Sequence, residues 1–156
     1  YVHGLTDVVP VNNVVADTVG LLKDEIAEML AGLSTVRLWV RLHMPRIEDG
    51  NNFGVVVQNE VLGMINTLYN SGMSFLRNLV NFFIKRGKIL SKMRKRPNVK
   101  GYVTSLLDLD EKQYVTLVQS CCDLRNNYAF LFDKIRKNRE KLVCPKGKTA
   151  SHLNMY

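Results

Sequence analysis

Three histidines, three cysteines and a pair of adjacent acids are the residues of this 156-residue sequence that could do chemistry, and their spacing argues against most of it. His3 lies near the start, His43 at the end of an apolar-periodic stretch and His152 close to the C-terminus; none has a Ser, Cys or carboxylate at catalytic spacing. Gly147-Lys148-Thr149 imitates the end of a phosphate-binding loop, but that loop needs a glycine five positions earlier, where Leu142 stands, and a strand before it. Glu48-Asp49 gives two carboxylates with no other acid nearby, a poor cation site. Cys121, Cys122 and Cys144 have no zinc-ligand spacing, and the adjacent pair reads as small core residues in mid-helix. The expectation is a protein that is not an enzyme, with no metal and no cofactor.

The same acids belong to a more informative stretch, Pro45-Arg46-Ile47-Glu48-Asp49-Gly50-Asn51-Asn52-Phe53-Gly54. Pro45 cannot continue a helical hydrogen-bond ladder. Gly50, Asn51 and Asn52 tolerate left-handed backbone and local side-chain hydrogen bonds. A minimal connection between antiparallel helices needs only about two to five residues. A longer one, with its polar groups gathered at the apex, reads as a presented binding loop.

The flanking elements must hold that loop. Residues 1–11 have no period and read as an irregular lead-in, and Tyr1 in place of a methionine suggests a fragment or processed product. From Asn13, with Asn12 or Asn13 as cap, Val15, Val19, Leu22, Ile26, Met29 or Leu30, Leu33, Val36 or Arg37, and Val40 recur at helical spacing until Pro45. A second helix is expected from about Val55 to Arg96, some 60 Å at 1.5 Å per residue. It carries two adjacent apolar stripes. Val57, Val61, Met64, Leu68, Phe75, Leu79 and Phe83 form one; Leu62, Ile65, Tyr69, Leu76, Val80 and Ile84 form the other. A helix apolar over so much of its circumference must be covered on two sides, one of them by another subunit. Pro97–Tyr102 reads as a turn and Val103–Leu109 as a short helix or irregular approach. Asp110-Glu111-Lys112-Gln113 resembles a capping box that would start the last helix at Glu111 and run it to Val143. Tyr114, Leu117, Cys121, Leu124, Tyr128, Leu131, Ile135 and Leu142 are its expected stripe. The whole is an all-α, up-down bundle of three long helices over residues 12–144, with a polar, acid-free tail at 145–156.

Composition fits that reading. Hydrophobic residues make up 46%, enough for a core, and the formal charge is +8. No apolar run reaches the length of a membrane span, and the cysteine pattern suits a reducing, intracellular setting. The charge is concentrated: between Glu60 and Asp108 there is no acid, only Arg77, Lys85, Arg86, Lys88, Lys92, Arg94, Lys95, Arg96 and Lys100. The run Lys92, Arg94, Lys95, Arg96 reads as a helix end whose cations complement the macrodipole, as a nuclear-localisation signal, or as a patch for an anionic partner. A basic helical module binding nucleic acid or another anionic surface through residues 85–100 is the alternative function, and no aromatic residue interleaves to stack on single strands.

The ten residues of Pro45–Gly54 closely resemble the activation loop of the 11S (REG-type) proteasome activators. Leu38-Trp39-Val40, Pro97-Asn98-Val99 with Tyr102, Leu109-Asp110-Glu111 with Tyr114, Leu124-Arg125-Asn126 with Tyr128, and the terminal Tyr156 agree in order. The resemblance implies an elongated subunit of a seven-membered ring, here without the family's first helix. It implies docking on the α-subunit ring of the proteasome core particle through a tail ending Asn154, Met155, Tyr156. It also implies a gate-opening loop formed by Arg46, Ile47, Glu48, Asp49, Gly50, Asn51, Asn52, Phe53 and Gly54, with Asn51 most associated with opening. Peptides would pass more easily without ATP, in the cytoplasm or nucleus. The sequence departs from the family at Lys100-Gly101, where relatives usually carry an acid.

Overall fold

The computed structural model describes residues 9–46 and 52–147, and the described residues form three helices with no strand among them. α1 (Asn13–Leu42) begins where the Asn12 side-chain oxygen accepts the Val14 amide at 2.9 Å, which makes Asn12 the cap. Val15, Val19, Leu22, Ile26, Met29, Leu33 and Val40 of the expected stripe are buried along it, while Leu30, Val36 and Arg37 are half-buried. Just beyond its end, the His43 ring stacks on Trp39 at 4.3 Å, and Nδ1–H donates to the Trp39 carbonyl at 2.8 Å. The same carbonyl, in the last turn ahead of Pro45, also accepts the His43 amide at 3.3 Å.

α2 (Phe53–Lys95) starts two residues earlier than expected, so Phe53 and Gly54 are helical. Its buried apolar residues are Val57, Val61, Leu62, Ile65, Leu79 and Phe82. Phe83, placed on the first stripe by sequence, is 39% exposed, whereas Phe82 is 3% exposed. With two stripes side by side, periodicity cannot choose between neighbouring phases; the packed partners do.

α3 (Lys100–Val143) is a single helix, which corrects the expectation of a break before Glu111. No glycine or proline occurs between Tyr102 and Val143, and Leu106 is buried, so Val103–Leu109 continues the helical packing. Asp110 cannot act as a cap because it lies mid-helix, where it pairs with Arg86 at 3.1 Å. Leu117, Leu131 and Leu142 of the expected stripe are buried, but Tyr114, Cys121 and Tyr128 are exposed. Cys122 is half-buried, so the adjacent cysteines are not core residues.

The described residues group into two compact units. One joins the segment ending at Ile26 to Met73–Asp123 and holds the turn between α2 and α3. Its buried apolar side chains include Val19, Leu22, Leu79, Phe82, Leu106 and Leu117. The other joins Ala27–Gly72 to the described residues after Leu124. There α2 runs antiparallel to both neighbours: Gln58 meets His43 and Asn66 meets Arg37 on α1, while Gln58 meets Leu142 and Glu60 meets Lys134 towards and along α3. Burying each large apolar side chain contributes on the order of 1.5–3 kcal/mol. Leu21, Leu42, Val80, Phe130 and Phe132 nevertheless remain exposed, at 70, 74, 56, 65 and 68%. No helix among the described residues is long and apolar enough to cross a membrane.

Candidate functional site

Of the loop residues singled out by sequence, Arg46, Asn52, Phe53 and Gly54 are described; Ile47, Glu48, Asp49, Gly50 and Asn51 lie outside the described residues, as do Asn154, Met155 and Tyr156 of the tail. The structure therefore bears on the base of the loop and the base of the tail, and it brings these together in one unit.

Asn52 occupies the capping position of α2, its carbonyl accepting the Val56 amide at 3.1 Å. One residue on, the exposed Phe53 ring lies under the Lys141 ammonium at 4.5 Å, a cation–π contact from the last turn of α3. Gly54 is buried against Pro145. A Cβ added there would fall on the Pro145 backbone, within 2.6 Å of its carbonyl carbon. Only a glycine allows this approach, so the requirement at Gly54 comes from contact and not from backbone conformation. Gly147, at φ 84°, is the one described residue whose turn needs a left-handed backbone; its amide donates to the Cys144 carbonyl at 3.1 Å. Between loop base and tail base runs an open groove of about 690 Å³, lined by Phe53, Gly54, Arg139, Glu140, Lys141, Val143, Cys144, Pro145 and Gly147.

Beneath the groove is a residue that sequence reasoning missed. Gln58 is completely buried, and its Nε2 donates to the His43 carbonyl at 3.0 Å and to the Leu142 carbonyl at 2.9 Å. The available signal was its phase: Gln58 precedes Leu62 by four residues and Ile65 by seven, a polar residue on an apolar stripe.

Arg86 was also misjudged. The sequence counts it in the basic stretch, yet it is 6% exposed. Its guanidinium donates to both Asp110 oxygens at 3.1 and 3.3 Å, and to the Val9 and Pro10 carbonyls at 3.4 and 2.7 Å. It is a structural ion pair and adds nothing to an anion-binding face. Lys92, Arg94 and Lys95 fill the last turn of α2, Arg96 follows directly, and all four are exposed. This is where cations complement the helix dipole. The loop base and this basic turn belong to different units.

No group of His, Cys, Asp or Glu able to hold a metal occurs among the described residues. Among the described residues one carboxyl is clearly perturbed: the hydrogen bond from Lys137, with N–O 2.6 Å, holds Asp133 below the usual carboxylate range.

Comparisons with known proteins bear on the same segments. The sequence matches the family profile "Proteasome activator PA28, C-terminal" over residues 8–152. It is 38% identical over 142 residues to "Proteasome activator complex subunit 3" of Homo sapiens, with the same identity to that subunit from Gallus gallus. The alignment covers 91% of this chain and 56% of the human protein, so the chain spans little more than half the length of these relatives. Among solved structures, the crystal structure of the 11S subunit of the Plasmodium falciparum proteasome, PA28, superposes with a TM-score of 0.85 at 35% identity, covering 91% of this chain and 60% of that one.

Proposed function

The chain belongs to the PA28 (11S) proteasome-activator family, and on that premise we propose that it is a non-enzymatic, ATP-independent activator that docks on the end of the proteasome core particle and opens its gate. The observation that carries this reading is the contact of Gly54 with Pro145, which joins the base of the activation-type loop to the base of the tail. Two contacts on one partner need such a joint. The tail, through Asn154-Met155-Tyr156, binds pockets of the α-subunit ring, and the loop around Asn51 presses on the gate.

One short tail binds weakly, whereas several on a rigid ring gain avidity. The exposed Leu21, Leu42, Val80, Phe130 and Phe132 supply the apolar surface that assembly with other activator subunits, seven by the family resemblance, would bury. Peptides then pass through the channel in the cytoplasm or nucleus.

Deleting Asn154–Tyr156 tests the docking half. The expected outcome is unchanged assembly by native mass measurement, with loss of binding to isolated core particle. Undiminished binding by the deleted protein would overturn the assignment of the tail.

A further inference from the structure

One side chain that links the base of the loop to the base of the tail belongs to neither. Gln58 stands at the start of α2 with no solvent exposure. A primary amide has two N–H donors, and Gln58 uses them on two different carbonyls. His43 lies immediately after α1 and opens the connection into the loop; Leu142 lies in the last turn of α3, three residues before Pro145. Carbonyls at helix ends lack intrahelical partners, so both acceptors are available without disturbing a helix.

The rest of the amide is not satisfied: Oε1 is buried and meets no donor among the described residues. An orphaned buried acceptor is unfavourable. Val61 and Leu62, about one turn further along α2, are buried and apolar, and a methionine would fill similar space at position 58 and carry no such acceptor. The amide therefore does something that packing does not require, which is to hold two chain ends at one spacing.

We propose that Gln58 is a positioning residue for gate opening. By tying the carbonyl that leads into the loop to the carbonyl that precedes the tail, it fixes where the loop stands when the tail is docked. The Gly54–Pro145 contact and the Lys141–Phe53 contact act beside it, but each joins α2 to the α3 end alone; Gln58 also engages the end of α1. The role rests on the activator reading above, and misplacement of a working group by about 1 Å can lower a rate by about 100-fold.

The test is Gln58→Met in the full chain, titrated against isolated core particle with a fluorogenic peptide. The activator concentration for half-maximal effect, which reports docking, should stay within about twofold of wild type, while maximal stimulation falls about tenfold or more. A merely structural role would move the first quantity together with helical content and assembly. Should Gln58→Met fail to fold, Gln58→Asn takes its place: one methylene shorter, it keeps the amide but cannot span both carbonyls. Hydrogen exchange in the free protein gives a readout independent of the core particle, with Met44 and Cys144 amides both exchanging faster in the variant. Full maximal stimulation by the variant, or unchanged exchange at either amide, overturns the proposal. If wild type itself gives no stimulation, the activator reading fails, and the exchange measurement still decides the linkage.

Discussion

α2 buries two polar side chains among the described residues, one in each compact unit, and the two solve the same problem differently. Each gathers three segments of chain. Arg86 joins α2 to Asp110 of α3 and to the Val9 and Pro10 carbonyls ahead of α1. Gln58 joins α2 to the ends of α1 and α3. Arg86 carries a charge, and the Asp110 carboxylate neutralises it. Gln58 is neutral, takes only carbonyl partners and keeps one atom unsatisfied. Removing one partner of a buried charge pair is strongly destabilising, whereas losing neutral hydrogen bonds has a modest net effect. The difference implies that Arg86 sustains the stability of its unit and Gln58 the geometry of the other.

The sharpest way to break that contrast is Asp110→Ala. It leaves the Arg86 guanidinium buried with only two carbonyls, and the expected loss is about 3 kcal/mol, read from the denaturant midpoint. A loss equal to that of Gln58→Met would erase the distinction. Gly54→Ala comes next. Its methyl would have to displace Pro145 backbone, so a loss of about 1–3 kcal/mol is expected, as for overpacking in a core. If the alanine variant is as stable as wild type by thermal melting, loop base and tail base are not held as closely as described. Gln58→Met should show the smallest stability change, about 1 kcal/mol, because the Leu142 and His43 carbonyls lose a donor while the orphaned Oε1 disappears in partial compensation. Its functional effect should exceed that of Asp110→Ala among folded, assembled molecules.

Much of this was readable beforehand. The α1 stripe, the stop at Pro45, the end of α2 before Pro97 and the resemblance at Pro45–Gly54 all rest on local chemistry. What escaped depends on partners distant in sequence. Asp110-Glu111-Lys112-Gln113 has the local form of a cap, and its actual place in mid-α3 follows from Leu106 packing and from Arg86, 24 residues earlier. Phe82 and Phe83 are indistinguishable on a helix apolar over two stripes, until the neighbouring helices choose one. Gln58 and Arg86 were passed over for the same reason. A polar residue on an apolar stripe signals burial by its phase, but the carbonyls or carboxylate it meets lie on segments distant in sequence. Of the second α2 stripe, for which sequence expected cover by a further chain, Leu62 and Ile65 are buried within this chain, while Val80 and Ile84 stay exposed.

If the loop acts once the tail has docked, one measurement separates the two steps. Wild type and Asn51→Tyr are compared for binding to isolated core particle and for stimulated peptide hydrolysis at saturation. Equal assembly and equal binding are expected, with stimulation abolished in Asn51→Tyr. Full stimulation by Asn51→Tyr would contradict it.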